Sequence, residues 1–361
     1  MKWEIAKLGK IAIIRTGKLD SNAAVIGGRY PFFTCDPNTL SIDVWAYDTE
    51  AVLLAGNNAS GNYTAKYYKG KFNAYQRTYI IESANEEELN IRYLCYALNQ
   101  QLRLLKMMSS GSTTKFLTVR MLDNLDIPLF GINIQTQIVN ILSAYDDLIE
   151  NNQKQIKLLE EAAQRIYKEW FVDLRFPGHE NTKIVDGVPE GWSRGLLKEL
   201  ISVNYGKDHK KAPDDGNIPV YGSGGLMRKC NKSLFSGEAV LIPRKGSLNN
   251  IMYVDETFWT VDTMFYATMK QPHTAVFVYF FVKAFDMYSM NIGAAVPSMT
   301  TKILDAMDVV IPDKETLEKF DKLTKTYFNK IKTLQGQNER LKIARDLLLP
   351  KLMYETQKGD F

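Results

Sequence analysis

Leu117-Thr-Val-Arg-Met-Leu-Asp-Asn-Leu-Asp126 and Met299-Thr-Thr-Lys-Ile-Leu-Asp-Ala-Met-Asp308 read as two versions of one segment. Thr118, Leu122, Asp123 and Asp126 fall on Thr300, Leu304, Asp305 and Asp308 at a constant offset of 182 residues. Each segment then reaches an Ile-Pro step, Ile127-Pro128 and Ile311-Pro312. After a two-residue gap the offset resumes: Ile138, Ile141, Tyr145, Ile149, Leu159, Ala162 and Ile166 fall on Phe320, Leu323, Tyr327, Ile331, Leu341, Ala344 and Leu348. Working back toward the N-terminus, Ala51-Val-Leu-Leu matches Ala239-Val-Leu-Ile, and Gly17-Lys18 matches Gly206-Lys207. An ordered set of this length marks a tandem duplication, unit–helix–unit–helix.

The two helices are the clearest elements. Ile138, Ile141, Tyr145, Leu148, Leu159, Ala162 and Ile166 recur at steps of three and four, with Leu142, Ile149, Ile156, Ala163 and Trp170 one position beyond. The pattern predicts a helix over 134–171, capped by Asn133, and a second from 314 to near Pro350, capped by Asp313. About 38 residues at ~1.5 Å each span roughly 57 Å. Helix-pairing positions are Ile138, Ile141, Tyr145, Leu148, Leu159 and Ile166 in the first, and Phe320, Leu323, Tyr327, Leu334, Leu341 and Leu348 in the second. Asn152 and Gln155 interrupt one stripe, and Gln337 and Asn338 the other. They read either as solvated surface positions or, since both breaks fall near mid-helix, as polar seam positions that set the register of a coiled coil. A short connection, 172–192, puts the second unit near the end of the first helix, so a paired second helix runs back antiparallel. The expected class is therefore mixed α/β: two repeat-related units, each of α+β character, on a long antiparallel two-helix spacer with pseudo-twofold symmetry, a dumbbell. The expected divisions are 1–130, 131–175, 176–312 and 313–361. Within the units, Ala51–Leu54, Tyr79–Ile81, Ala239–Ile242 and Met264–Thr268 read as strands, and Glu87–Leu105 and Ala275–Tyr288 as helical patches.

Composition narrows the function. The 361 residues are 45% hydrophobic and 24% charged, with net charge +4, which is the balance of a folded protein able to meet an anionic partner. No run of eighteen apolar residues and no signal-peptide core is present, which points to a cytoplasmic chain. Cys35, Cys95 and Cys230 form no CxxC pair and read as incidental or buried thiols. His179, His209 and His273 lack metal-ligand spacing. Gly9 to Gly17-Lys18 is not a Walker loop, because the spacing is too long and Leu19 stands where Ser or Thr belongs. An Asn/Asp-Pro-Pro-Tyr/Phe segment and a GxSxG elbow are both missing. The expectation is a chain with no catalytic residues, no metal and no cofactor of its own.

The polar loops remain. Asn57, Asn58, Ser60, Asn62, Tyr63, Lys66, Tyr67 and Tyr68 form one set; Arg228, Lys229, Arg244, Lys245, Ser247, Asn249 and Asn250 form another. Such side chains reach base edges and phosphates in DNA, and they equally furnish ordinary surface loops. Residues 1–131 hold 15 Lys and Arg against 12 Asp and Glu, and 190–312 hold 13 against 12, so charge alone does not decide. Arg77, Thr113 and Lys115 complete the candidates for one half-site, and Lys302 for the other.

Order and duplication together resemble the specificity subunit of type I restriction–modification systems. Trp3-Glu-Ile-Ala-Lys-Leu-Gly9 is echoed by Val188-Pro-Glu-Gly-Trp-Ser193, and Tyr30-Pro-Phe32 by Ile218-Pro-Val-Tyr-Gly222. Leu125-Asp-Ile-Pro128 and Val309-Val-Ile-Pro312 precede the helices, and Gln135-Thr-Gln-Ile-Val139 and Leu158-Leu-Glu160 fit the family's helical region. The second helix departs at its start, where Thr316-Leu-Glu-Lys-Phe320 replaces the Gln-containing run. The resemblance implies two target-recognition domains reading the halves of a bipartite double-stranded DNA site. It also implies helices that set the gap and dock modification subunits. Those methyltransferase partners would use S-adenosylmethionine, and a motor-nuclease (restriction) subunit would use ATP and Mg. The rival reading is a two-headed protein-binding adaptor that employs the helices and leaves the loops idle.

Overall fold

The computed structural model of the chain describes residues 3–36, 38–57, 63, 65–108, 117–290 and 298–358. Two compact units result: Met1–Asn151 with Gln337–Phe361, and Asn152–Gly336. The division falls inside the two long helices rather than at their ends.

The first unit runs β1 (Trp3–Lys7), α1 (Leu8–Ile11), β2 (Ala12–Thr16), β3 (Tyr30–Phe33), β4 (Leu40–Ile42), β5 (Tyr47–Ala55), β6 (Ala65–Ala74), β7 (Thr78–Ser83), α2 (Ile91–Met108), α3 (Val119–Asp123) and β8 (Asp126–Phe130) before α4 (Ile132–Tyr167). Six strands form one sheet in the order β2-β7-β5-β6-β3-β4, and β1 pairs antiparallel with β8. Among the described strands of that sheet, β3 and β6 are parallel neighbours and the other pairs are antiparallel. The apolar run of β5 is buried on both faces. Val52 and Leu54 join the core beneath α2, with Leu94, Ala97 and Leu98, while Ala51 and Leu53 join a smaller cluster with Phe33, Phe72 and Ile80.

The second unit repeats this plan. After a hairpin of β9 (Ile184–Val185) and β10 (Val188–Pro189) come β11 (Ser193–Leu196), β12 (Ile201–Tyr205), β13 (Ile218–Gly222), β14 (Gly225–Cys230), β15 (Phe235–Pro243), β16 (Met252–Thr260), β17 (Met264–Met269), α5 (Ala275–Lys283), α6 (Thr301–Asp305), β18 (Asp308–Ile311) and α7 (Lys314–Lys358). The sheet order β12-β17-β15-β16-β13-β14 matches the first strand for strand, with β13 parallel to β16, and β11 pairs with β18. Val240 and Ile242 face one core and Ala239 and Leu241 the other. The four expected strands all lie inside longer ones, and the two helical patches correspond to α2 and α5.

Each long helix buries a strict seven-residue repeat. In α4 the inward positions include Ile138, Leu142, Tyr145, Ile149, Asn152, Ile156, Leu159, Ala163 and Ile166; in α7 they include Leu317, Phe320, Thr324, Tyr327, Ile331, Leu334, Asn338, Leu341, Arg345 and Leu348. Ile141, Leu148 and Leu323, expected in the seam, instead stand 37%, 46% and 37% exposed. The step from Ile138 is four residues, to Leu142, and the three-residue step follows, so the apolar side chain one place early stays outside. Asn152 and Asn338 are buried, which fits polar seam positions, whereas Gln155 is half-buried and Gln337 is exposed. In the first unit Asp146 of α4 meets Arg345 of α7 at 2.5 Å, and Ile138 and Leu142 share a core with Leu349, Leu352 and Met353. In the second unit Ala163 and Tyr167 share a core with Leu317 and Phe320. Early α4 thus packs with late α7, and late α4 with early α7.

Two helix ends differ from expectation. Asn133 lies inside α4 rather than at its cap; the Gly131 carbonyl accepts the first N–H groups, from Ile134 and Gln135. Helix α7 does not stop near Pro350 but continues to Lys358. An internal proline costs ~3 kcal/mol, and burying Leu352 and Met353 beyond it at ~1.5–3 kcal/mol each offsets that. Among the described residues no helix is long and apolar enough to cross a membrane.

Candidate nucleic-acid interface

In each unit the loops converge on one three-residue turn. Strand β5 pairs with β6 on one side and β7 on the other, and the β6–β7 connection is only Tyr75–Arg77. The Arg77 carbonyl accepts the N–H of Gly56 at 2.8 Å, the Thr78 carbonyl accepts that of Gly17 at 3.1 Å, and the Gly56 carbonyl accepts that of Leu117 at 2.8 Å. The second unit repeats the set around Val261–Thr263. Thr263 accepts from Arg244 at 2.8 Å, Met264 from Gly206 at 3.0 Å, and Arg244 from Met299 at 2.9 Å. Gly56-Asn57 and Arg244-Lys245 are therefore structural counterparts.

Around the second turn, several expected residues come together. Lys245 and Ser247 are exposed. Asn250 donates to the Ser223 carbonyl at 2.8 Å and so ties the β13–β14 turn to the β15–β16 loop. Arg244 donates from Nη1 to the Asp262 carbonyl at 3.0 Å and lies over the Tyr205 and Phe265 rings at 5.1 and 5.4 Å, which fixes the guanidinium in place. Asn249 faces away: it donates to Asp286 at 2.9 Å and accepts from the Met287 N–H at 2.8 Å. Lys302 is exposed on α6, just past Met299.

Arg228 is held within its own unit. Its guanidinium donates to the carbonyls of Ala212 at 2.7 Å and His209 at 2.5 Å, and to the Asp214 carboxylate, so it clamps the 209–214 loop. Lys229 beside it is exposed.

In the first unit, Asn57 is half-buried directly after β5 and Arg77 is exposed in the turn. Asn58, Ser60, Asn62, Thr113 and Lys115 lie outside the described residues. Tyr63 packs against the main core, and burial raises its phenol above the ordinary value. Lys66 is half-buried, which lowers its ammonium pKa, and it donates to Thr39 at 3.3 Å. Tyr67 points inward and donates to Glu50 at 2.9 Å; burial and that bond push its pKa up to about 12. Its counterpart Tyr253 donates to Glu238 at 2.7 Å. Tyr68 packs on Phe33 and Phe72. The aromatics of this strand are thus packing groups rather than stacking platforms.

Sequence reasoning missed the groups that shape the site, notably Tyr205 and Asp262 beneath Arg244. It also missed how each helix start is locked to its unit. Buried Gln135 donates to the Phe130 and Glu88 carbonyls at 2.6 and 2.7 Å and accepts from the Asn90 N–H at 2.9 Å. In the second unit that position is Leu317, and the lock moves one turn along: the His273 ring meets buried Asp321 at 2.7 Å, with Lys325 at 2.9 Å. The departure at Thr316–Phe320 is a replacement of one lock by another. The Cys95 thiol is inert by environment, burial pushing its pKa up to about 12.

This duplicated frame fits one family across most of its length. The profile described as "Type I restriction modification DNA specificity domain" matches residues 1–161 and again 189–342. The chain belongs to that family. It is 31% identical over 214 residues to the type I restriction enzyme EcoDI specificity subunit of Escherichia coli, covering 53% of this chain and 47% of that protein. It is 25% identical over 303 residues to the MjaIX specificity subunit of Methanocaldococcus jannaschii, covering 73% and 67%. The chain thus spans about half the length of the first of these relatives. The fold is like that of the S subunit of a type I restriction–modification system from M. genitalium, with TM-score 0.58 and 20% identity, covering 97% of this chain and 96% of that one.

Proposed function

We propose that the chain is the DNA-recognition subunit of a type I restriction–modification complex, each unit reading one half of a bipartite double-stranded site. The observation that carries this is the repeated turn. Both units gather polar side chains around the same backbone frame, exposed Arg77 and half-buried Asn57 in one, and exposed Lys245 and Ser247 with half-buried Asn250 in the other. Two similar frames with different side chains are what reading two different half-sites requires. In this reading α4 and α7 set the unread gap and dock the modification subunits. Methyl transfer from S-adenosylmethionine and ATP- and Mg-driven cleavage belong to the partner subunits, and this chain acts in the cytoplasm without catalysing a step or holding a cofactor. His273 is held on Asp321 and Cys95 is buried in the core, so both have structural duties.

The test is selection of duplexes from a random pool by the full chain co-purified with its modification subunits. Two short fixed blocks separated by a fixed unread gap are expected. One contiguous block, or no enrichment, overturns the proposal. Lys245→Ala should relax only the half-site read by the second unit, with a loss of roughly 1–3 kcal/mol if it makes a good base contact.

A further inference from the structure

The Gly-Lys pair repeated in both units is not explained by packing alone. Gly17 and Gly206 are demanded by it: a Cβ on Gly17 would lie 2.1 Å from the Ala74 carbonyl oxygen, and one on Gly206 2.0 Å from that of Val261. Each glycine also gives its N–H to the strand that follows the shared turn. The lysines that follow have no such reason. Lys18 and Lys207 are both exposed, and neither makes an ion pair among the described residues. Their backbones are nonetheless fixed. Lys207 gives its N–H to the Thr260 carbonyl at 3.0 Å, and its own carbonyl accepts the Trp259 indole N–H at 3.1 Å. Leu19, next to Lys18, bridges to Tyr75 and accepts from the Gln76 N–H at 2.8 Å.

The two lysines also hold one place relative to the reading loops. Gly17 bonds Thr78 while Gly56 bonds the adjacent Arg77, and Gly206 bonds Met264 while Arg244 bonds the adjacent Thr263. Each lysine therefore flanks the turn on the side opposite Asn57 or Lys245.

In a reader with two different half-sites, side chains that differ between the units carry sequence information. Those that stay the same must meet what is the same in every DNA segment, the phosphate backbone. We propose that Lys18 and Lys207 are the equivalent phosphate anchors of the two units, setting the position of each unit on the duplex without reading bases. The assignment rests on the DNA-recognition reading above.

The experiment uses the full chain, alone and co-purified with its modification subunits, on a selected duplex and on a random-sequence duplex over a salt series. Lys18→Ala and Lys207→Ala should each make the plot of log affinity against log salt shallower by about 0.9, and the double variant by about twice that. Selected and random duplexes should weaken by the same factor, the selected consensus should not change, and Lys→Arg should restore the slope. Melting temperatures should match the parent, since both side chains are exposed. A parent that binds neither duplex in either form overturns the recognition reading itself. A parent that binds, with alanine variants of unchanged slope or with a changed consensus in one half-site, overturns the anchor assignment alone.

Discussion

Asp313 stands where β18 hands over to α7, and it serves two elements at once. Its carboxylate accepts the Thr316 N–H at 3.0 Å and hydroxyl at 2.7 Å, and the Trp192 indole N–H at 2.8 Å. Burial works to raise its pKa, but these bonds outweigh it and hold the carboxyl below the usual carboxylate value. The folded pKa is thus lower than the unfolded one. The stabilisation is complete above the unfolded value and is lost as pH falls through the folded one. Asp313→Ala should cost about 1 kcal/mol near neutral pH, as loss of a helix cap does. The gap in melting temperature between the parent and this variant should close on acidification below the ordinary carboxylate range; a gap independent of pH would remove Asp313 from the cap role. The cap was legible because Asp313 follows a proline and precedes an apolar repeat. The clamp made by Arg228 was not, because its partners are mostly backbone carbonyls of the 209–214 loop, and a carbonyl leaves no trace in sequence.

At the scale of elements, what was legible is what burial writes into the sequence. Strands β5 and β15 are apolar on both faces and stood out. Strand β6, with Lys66, Lys69 and Lys71 among its tyrosines, did not, because its exposed positions and Gly70 break the alternation. The helices are legible by period, and most of the expected seam positions lie inward; Ile141, Leu148 and Leu323 do not, and the sequence cannot tell them apart because they are as apolar as the residues that are buried. The difference is testable by truncation. Leu142→Ala or Ile149→Ala removes a fully packed side chain and should cost roughly 2–5 kcal/mol, whereas Ile141→Ser, Leu148→Ser and Leu323→Ser should each fall within about 1 kcal/mol of the parent. Denaturant midpoints of the five variants decide it. Equal losses in the two groups would mean that Ile141, Leu148 and Leu323 are covered in solution.

At the scale of the whole chain, the proposed role of α4 and α7 as the gap-setting element makes a quantitative demand on length. Their inward positions repeat every seven residues, so inserting seven keeps a helix in phase with its own pattern, whereas any other number rotates everything beyond it. Seven residues add about 10 Å, equivalent to roughly three base pairs at ~3.4 Å each. An insertion after Asn152 matched by one near Leu334 should therefore yield a complex that selects the same two half-sites with a gap wider by about three pairs. Insertion in one helix alone forces inward residues out of register with those of the other helix, and its expected signature is a lower denaturation midpoint with weakened DNA binding. Sequencing the duplexes retained by the double insertion separates the possibilities. Unchanged half-sites with a wider gap are expected, because in the proposed reading the base contacts lie in the loops around the two turns, which neither insertion touches. Unchanged half-sites with the original gap would show that the partner subunits, not these helices, fix the spacing.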